Sequence, residues 1–372
     1  MPPRICLVAF FTHEAFFTPL SNIRKIIHEI GSPSESITII DPNLVGKIVF
    51  DNKKDDVIVY KKNTSFFLRI LSYFCLNLQV SWKIFLKSKH ADSFIFFMES
   101  GMPLPMITAK ICTRRIFWFL PSSFRKMVEH KKDHVNLLLI PLESILYFIT
   151  DKIVLYSHNL EKAWNLQKYS EKILIAHEHF IDTSTFTELA PWAGRPFTIG
   201  YIGRLSEEKG VQNFVQALPI VFCGHKDLRV LIGGDGDLKE TITETLEQEK
   251  LSPYIILSGW ISREELPRYL NQIQLLVLPS YSEGLPNIVL EAMACGTPVL
   301  ATPVGAIPDI IEDGKTVFIM ENNNPDCIAR NIQRVLESTN LNDVTINAKK
   351  IMARDFTFEN TVKQWRNLFN II

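Results

Sequence analysis

Two short segments carry residues whose types and spacing can hold a diphosphate and the sugars on either side of it. The first runs from Gly203-Arg204 to Lys209-Gly210, directly after apolar residues 197–202. An arginine forks onto phosphate oxygens, and a lysine a few residues later adds a second positive charge. Gly203 lets the backbone come close to a ligand. The segment predicts an anion site at a strand end, although either cation alone would also fit a solvated surface.

The second segment lies about 80 residues later and brings two carboxylates. Apolar residues 275–278 lead into a loop, and a helix is expected from about Asn287. The free amides at the start of that helix attract a diphosphate. Glu283 in the loop can accept hydrogen bonds from sugar hydroxyls. Glu291, about one turn into the helix, can accept hydrogen bonds from both ribose hydroxyls. The alternative is that Glu283 caps the helix and Glu291 is solvated.

The setting of the two glutamates carries a resemblance to a known family. It reads Ser-Glu-Gly-Leu-Pro-Asn-Ile-Val-Leu-Glu-Ala-Met-Ala-Cys-Gly-Thr-Pro-Val, with seven residues between Glu283 and Glu291. Over about 197–336 the chain resembles the retaining glycosyltransferases of family 4 type (glycosyl transferases group 1), which have the GT-B fold. The resemblance implies transfer of a hexosyl unit from a UDP- or GDP-sugar with retention of anomeric configuration.

The resemblance also assigns roles to individual residues. The catalytic residues it implies are Glu283 for the transferred sugar, with Arg204 and Lys209 for the donor diphosphate. It assigns donor binding to Gly203, Gly259, Trp260, Ile261, Gly284, Leu285, Asn287 and Glu291. Within that set, residues 259–261 line the base pocket and Glu291 binds the ribose.

Neither a metal nor a cofactor is expected. Asp235 and Asp237 form a D-x-D string, but the string follows an apolar run and is predicted to be a glycine-rich turn. His177 and His179 alternate along a strand end without a third ligand at matching spacing. The six cysteines are scattered and predict neither a zinc site nor a disulfide framework, which favours a reducing cytosol.

The first half departs from the family pattern. A Gly-Gly pair is usual after the first strand, whereas this chain has Phe-Thr-His-Glu-Ala, and the usual histidine after the fifth apolar run is absent. His13, Glu14, Glu99 and Ser122 are acceptor-side candidates by position alone. Packing or capping is the alternative role for each of them.

Apolar runs alternating with helix-like stretches predict the fold class. The runs are continuous, as in strands covered on both faces, and indicate two doubly wound Rossmann-like α/β domains facing a cleft. We expect an acceptor-side domain over 1–185 and a nucleotide-sugar domain over 186–355. The segment 356–372 is predicted to be a helix that packs back on the first domain.

Residues 65–86 are rich in large apolar side chains, with Arg69, Lys83, Lys87 and Lys89 around them. They predict either a helix on a membrane surface or a helix packed on the sheet. No stretch is long and apolar enough to predict a spanning helix. We therefore expect a cytoplasmic protein at the inner face of the membrane.

The function predicted from these residues is a retaining hexosyltransferase in cell-surface glycan synthesis. Its partners are a nucleoside diphosphate sugar and a saccharide or lipid-linked acceptor, without nucleic acid. Two alternatives remain open at this point. One is a nucleotide-sugar epimerase on the same fold, and the other is a non-catalytic partner protein that binds the donor.

Overall fold

The computed structural model describes residues 3–11, 17–40, 55–61, 65–98, 102–112, 114–121, 140–225 and 227–370. The chain divides into two compact units. Unit 1 comprises Met1–His179 and Thr361–Ile372, and unit 2 comprises Phe180–Asn360. The chain therefore leaves unit 1, completes unit 2 and returns to unit 1.

Unit 1 contains, within its described residues, a parallel sheet of seven strands. They are β1 (Arg4–Phe11), β2 (Ser32–Ile40), β3 (Asp55–Val59), β4 (Ser93–Phe97), β5 (Arg115–Phe119), β6 (Lys152–Leu155) and β7 (Ile173–Ile175). Their order is β3-β2-β1-β4-β5-β6-β7. The predicted strands are confirmed, and the reason for their continuous apolar sequence is visible in β4, which is buried along its whole length.

Helices connect these strands and cover the sheet. They are α1 (Phe17–Ile30), α2 (Phe66–Lys87), α3 (Pro103–Ile111), α4 (Ile140–Ile149) and α5 (His158–Ala163). Large aromatic side chains fill the core, and Phe94, Phe96 and Trp118 are fully buried. The indole of Trp118 is not left unsatisfied, because it donates to the carbonyl of Met98 at 3.2 Å.

Unit 2 repeats the arrangement with a second parallel sheet. Its described strands are β8 (Ile199–Ile202), β9 (Val230–Gly233), β10 (Ile255–Gly259), β11 (Leu276–Leu278), β12 (Val299–Ala301) and β13 (Phe318–Ile319). Their order is β10-β9-β8-β11-β12-β13. The sequence predicted the first five of these, but β13 is only two residues long. So short a strand leaves no pattern in the sequence.

The helices of unit 2 are α6 (Val211–Gly224), α7 (Lys239–Gln248), α8 (Leu266–Leu270), α9 (Asn287–Ala294), α10 (Ile307–Ile310), α11 (Pro325–Leu336) and α12 (Leu341–Asp355). α6 and α11 pack side by side in the main hydrophobic cluster. Phe214 and Leu218 of α6 and Ile328 and Ile332 of α11 are buried there. Their spacing of three or four residues gives each helix its apolar face.

Arg195 connects several loops at one end of unit 2 by hydrogen bonds. The side chain is buried, and its guanidinium donates to oxygens of the surrounding backbone and side chains. The acceptors are the carbonyls of Ala190, Leu270, Ile273 and Cys295, Thr297 Oγ1 and Asn271 Oδ1. This buried charge is stabilised by oriented dipoles, which replace the water it loses.

The last helix, α13 (Phe358–Asn370), belongs to unit 1 from Thr361 onward. Trp365 is fully buried, and its indole Nε1 donates to the carbonyl of His177 at 2.8 Å. Its ring lies 5.5 Å from that of Phe119 in β5. A segment that follows unit 2 in the chain thus completes the core of unit 1.

Glu178 is a buried acid near the end of the first part of unit 1. Tyr156 Oη donates to its Oε1 at 2.9 Å, and His179 Nδ1 lies 3.7 Å from its Oε2. Burial raises the pKa of the Glu178 carboxyl to about 8. The acid is therefore held mostly neutral at pH 7.

α2 presents apolar side chains on two opposite sides. Leu76, Val80 and Ile84 are buried. The outer face of α2 is a stripe of exposed residues three or four positions apart, namely Phe67, Leu71, Phe74, Leu78, Trp82 and Phe85. Trp82 is 61% exposed. Among the described helices, none is long and apolar enough to cross a membrane.

Candidate functional site

The two predicted motifs follow neighbouring strands at the point where the strand order of unit 2 reverses. The Gly203 segment comes after β8 and the Glu283 loop after β11, and these strands pair directly, Leu276 opposite Gly200. In open α/β sheets, ligands bind beyond the carboxyl ends of the strands at this switch point. The topology therefore brings the two motifs together.

Glycines allow the first motif to contact the turn after β9. Gly203 N donates to the carbonyl of Gly233 at 3.0 Å. Gly234 has a φ of +134°, and a Cβ on it would lie 1.9 Å from the carbonyl oxygen of Gly203. A side chain at Gly234 would therefore separate the two loops.

Arg204 borders solvent next to this contact. Its Nη2 lies 2.8 Å from Oε1 of Glu208, four residues further on. Its carbonyl accepts from Tyr201 Oη at 2.8 Å, and the Tyr201 side chain is fully buried. The backbone of Arg204 is thus fixed from the core while the guanidinium lies at the surface, where it can reach an anion.

Lys209 and Glu283 connect the two motifs directly. Lys209 Nζ lies 2.7 Å from Glu283 Oε1 and 2.8 Å from Oε2. Ser280 Oγ donates to Glu283 Oε1 at 2.7 Å. The Ser280 carbonyl in turn accepts from Thr302 Oγ1 at 2.6 Å. The carboxylate is therefore oriented by two groups, Lys209 of the first motif and Ser280 just after β11, and Thr302 just after β12 fixes the backbone of Ser280.

Close backbone contacts hold the two segments at this distance. Gly210 has a φ of +66°, and a Cβ there would lie 2.0 Å from the carbonyl oxygen of Pro279. Tyr281 N donates to the carbonyl of Glu208 at 2.9 Å. Side chains larger than hydrogen at position 210 would push the lysine segment away from the glutamate loop.

The start of α9 lies beside this carboxylate. Asn287 is the first residue of the helix and Pro286 its N-cap, while Leu285 is buried. The Gly284 carbonyl accepts from Ala306 N at 2.7 Å. The helix amides that have no intrahelical partner therefore begin a few residues after Glu283, as the sequence predicted.

Glu291 is buried inside α9, not solvated. It is 2% exposed, and its Oε1 accepts from Arg263 Nη1 at 2.8 Å. Burial raises the pKa of this carboxyl, and the charge and hydrogen bond of Arg263 oppose that effect. A buried carboxylate with a cationic partner is suited to binding hydroxyl groups.

The predicted base pocket begins at Gly259, the last residue of β10, and continues through Trp260 and Ile261. The Gly259 carbonyl accepts from Gly234 N at 2.7 Å, which connects this segment to the turn after β9 that contacts the first motif. Gly259 has a φ of +70° with open space where a Cβ would be. Ile261 is half-buried against Gly233, and Trp260 is 66% exposed.

The D-x-D string lies in the turn between β9 and α7. Asp235 Oδ1 accepts from Gly236 N at 3.0 Å and lies 3.6 Å from Lys239 Nζ. In the part of the chain that the structure describes, no group of three or more His, Cys, Asp and Glu residues could hold a metal ion.

The acceptor-side candidates His13, Glu14, Glu99 and Ser122 lie outside the described residues. Conversely, the structure adds residues that the sequence analysis did not name as site residues, namely Ser280, Thr302 and Arg263. Ser280 could have been found as a hydroxyl three positions before Glu283. Arg263 gave no signal, because its partner is 28 residues away and on another element.

Residues 186–352 match the family model for glycosyl transferases group 1. A 2-deoxystreptamine N-acetyl-D-glucosaminyltransferase of Niallia circulans is 27% identical over 64% of this chain and 62% of the relative. The capsular polysaccharide biosynthesis glycosyltransferase CapM of Staphylococcus aureus is 24% identical over 86% of each chain. In four of the curated relatives it matches, the chain covers between 38% and 62% of the relative's length.

Solved structures share the fold over nearly the whole chain. Anabaena Alr3699/HepE in complex with UDP has a TM-score of 0.75 at 16% identity, covering 99% of this chain and all of that one. Sucrose-phosphate synthase from Thermosynechococcus elongatus has a TM-score of 0.75 at 17% identity, covering 99% of each chain. The predicted GT-B fold, with its two parallel-sheet α/β domains, is confirmed.

Proposed function

We propose that this chain is a retaining hexosyltransferase. The proposal starts from the match of residues 186–352 to the family model for glycosyl transferases group 1. The donor is a nucleoside diphosphate sugar, UDP- or GDP-linked, and the acceptor is a hydroxyl of a saccharide or lipid-linked saccharide. The observation that carries the proposal is the Lys209–Glu283 pair at the switch point of unit 2. The names of the relatives, one of which acts in capsular polysaccharide biosynthesis, support a role in cell-surface glycan synthesis.

Each part of the donor has a partner of matching chemistry. Arg204 and Lys209 meet the diphosphate oxygens, together with the free amides at the start of α9. Glu283, already oriented by Ser280, accepts hydroxyls of the transferred sugar. Glu291 accepts the ribose hydroxyls, and residues 259–261 line the base.

Retention follows if the acceptor attacks from the face that the diphosphate leaves. The acceptor oxygen bonds to the anomeric carbon as the bond from that carbon to the diphosphate oxygen breaks. The departing phosphate takes the acceptor proton, so no protein base is required. Arg204 and Lys209 stabilise the charge that develops on the diphosphate, and the site holds both substrates in position. This chemistry needs no metal ion.

The cellular location is inferred from α2 and from two exposed cysteines. The outer face of α2 exposes six large apolar side chains. Residues 66–87 contain Arg69, Lys83 and Lys87 but no acidic residue, and Lys83 and Lys87 are both paired with the single carboxylate of Asp56 on β3. A helix with this composition lies well in the interface of a membrane with anionic lipids. Cys75 and Cys223 are exposed thiols, which suits a reducing compartment. We therefore place the enzyme in the cytoplasm, at the inner face of the membrane.

Thermal melting with UDP, GDP, ADP and their common sugar conjugates, with and without EDTA, tests the donor site. A ligand that binds the native state raises the melting temperature. We expect a shift with one nucleotide family that EDTA does not change. A shift that EDTA abolishes would contradict metal-independent binding, and no shift with any nucleotide would contradict the donor site.

Incubation with the donor so identified separates the enzyme classes. A transferase releases the nucleoside diphosphate faster when a saccharide acceptor is present, and the new glycosidic bond keeps the anomeric configuration of the donor. An epimerase would convert the donor sugar without any acceptor. A non-catalytic partner protein would bind the donor and leave it unchanged over a panel of saccharide and lipid-linked acceptors.

A further inference from the structure

Arg263 contacts Glu291, although it lies outside both sequence motifs. Its Nη1 donates to Glu291 Oε1 at 2.8 Å, and its guanidinium carbon lies 5.3 Å from the centre of the Phe186 ring. The arginine side chain is 48% exposed, whereas that of the glutamate is 3% exposed. A cation at the solvent border therefore contacts a carboxylate inside the protein.

The backbone around Arg263 is a fixed turn. Glu265 N donates to the carbonyl oxygen of Ser262 at 3.2 Å and approaches Ser262 Oγ at 3.3 Å. The same loop, between β10 and α8, begins with Trp260 and Ile261 of the proposed base pocket, directly after Gly259 at the end of β10. One short segment therefore carries both the residues proposed for the base and the partner of Glu291.

The charges around Glu291 make Arg263 important to its ionisation. Burial is the main influence on the Glu291 pKa and raises it, while Arg263 lowers it. Cys295 directly follows α9, four residues after Glu291, and burial raises the pKa of its thiol to about 12, so it is neutral at pH 7. Near the end of α9, Lys349 of α12 is paired with Glu188. Among these groups, Arg263 is the cation that favours the ionised carboxylate.

We infer that Arg263 is a positioning residue for the nucleoside, holding Glu291 as an oriented carboxylate where the ribose hydroxyls bind. The inference rests on the proposed function of the donor site. A carboxylate can accept hydrogen bonds from two hydroxyls at once, whereas a protonated carboxyl turns one oxygen into a donor. Arg263 acts through Glu291 and need not touch the sugar.

Calorimetric titration of the full chain with UDP, GDP and ADP tests the inference. Without Arg263, the buried Glu291 takes up a proton at higher pH, because only burial then acts on it. For Arg263→Met we expect affinity to fall roughly tenfold near pH 6 and to recover to within about threefold of wild type near pH 9. Arg263→Lys should restore most of the lost affinity near pH 6. A loss of equal size at every pH would contradict the inference.

Two further variants separate this role from a structural one. In a Glu291→Gln background, Arg263→Met should cause no additional loss, because the group through which it acts is gone. An undiminished additional loss would overturn the inference. Arg268→Met removes the same charge from the exposed surface of α8, where the guanidinium lies 5.8 Å from the Tyr269 ring, and should leave affinity unchanged at all pH values.

The outcomes also distinguish this inference from the proposed function. If wild type binds none of the three nucleotides at any pH, the proposed function of the donor site is wrong. If wild type binds one of them and Arg263→Met binds it equally well near pH 6, the inference alone fails. Melting temperatures of all variants without nucleotide show whether any of them is unfolded.

Discussion

Lys209 Nζ lies within hydrogen-bond distance of both carboxylate oxygens of Glu283, although the two residues are 74 positions apart. Without a ligand, the Lys209 ammonium and the Glu283 carboxylate form an ion pair with each other. A diphosphate that recruits Lys209 would leave the Glu283 oxygens available to sugar hydroxyls. Binding of the leaving group and preparation of the sugar site would then be one event.

Replacing Glu283 should abolish transfer and leave nucleotide binding intact. In Glu283→Gln the amide cannot accept sugar hydroxyls as a carboxylate does, and Lys209 loses its anionic competitor for the diphosphate. We expect the transfer rate to fall roughly 10²–10³-fold while diphosphate affinity changes by no more than about threefold. Steady-state rates and calorimetry measure the two effects. Exposed Glu312→Gln is the matched control, and full activity in Glu283→Gln would refute the assigned role.

Replacing Arg204 should weaken binding as well as transfer. Arg204→Met removes a charge-assisted hydrogen bond to the diphosphate, which corresponds to roughly 10–100-fold in affinity. Titration with the nucleoside diphosphate measures this loss, and Lys239→Met removes an exposed cation at the start of α7 as a control. Equal affinity in wild type and Arg204→Met would show that the guanidinium does not contact the diphosphate.

The outer face of α2 should bind anionic lipid vesicles. Replacing Phe74 and Trp82 together by serine removes two exposed rings, and we expect partitioning onto phosphatidylglycerol vesicles to fall by about tenfold or more. Sedimentation with vesicles measures it, and added salt should weaken binding of wild type. Ile346→Ser removes an exposed apolar side chain of α12 and should have no effect. Failure of wild type to sediment would refute the membrane contact.

Arg195 should contribute strongly to the stability of unit 2. Arg195→Met leaves several buried carbonyls without their donor, and we expect a loss of about 3 kcal/mol in the free energy of unfolding. For a unit of this size the melting temperature would fall by roughly 6–12 °C. Circular dichroism of the full chain measures the shift. Arg330→Met, on the exposed side of α11, should change the melting temperature little.

Glu178 should make the protein less stable as the pH rises. The folded pKa of about 8 lies above the ordinary value of 4.5. The folded state therefore holds a proton that the unfolded state releases. Stability from this group is complete below the unfolded pKa and is lost as the pH rises toward the folded pKa, at up to ~1.4 kcal/mol per pH unit.

Glu178→Gln isolates this effect from other titrating groups, His179 included. The amide keeps an oxygen for Tyr156 but cannot ionise. The variant and wild type should melt at similar temperatures near pH 5, and the variant should melt progressively higher toward pH 8. A constant difference across the pH range would mean that Glu178 is not the titrating group.

The sequence predicted most of what depends on local pattern. Continuous apolar runs identified the strands except β13, and the motifs predicted Arg204, Lys209, Glu283 and Glu291 as site residues. Contacts between elements that are distant in the chain could not be predicted from the sequence. Arg195 lies near the start of the predicted nucleotide-sugar domain, where a single arginine looks like a surface charge, yet its acceptors lie up to 102 positions away. Glu291 was left between a ligand-binding and a solvated role, because only the fold shows that it is buried.

The return of the chain to unit 1 affects the order in which the protein can be completed during synthesis. Unit 2 is one continuous segment, Phe180–Asn360, and all of it emerges from the ribosome before α13 is finished. Unit 1 starts first but lacks Trp365, which fills its core, until that helix arrives. The nascent amino-terminal half therefore has an unfilled core while the carboxyl-terminal half is being made, and the first unit to begin folding is the last to be finished.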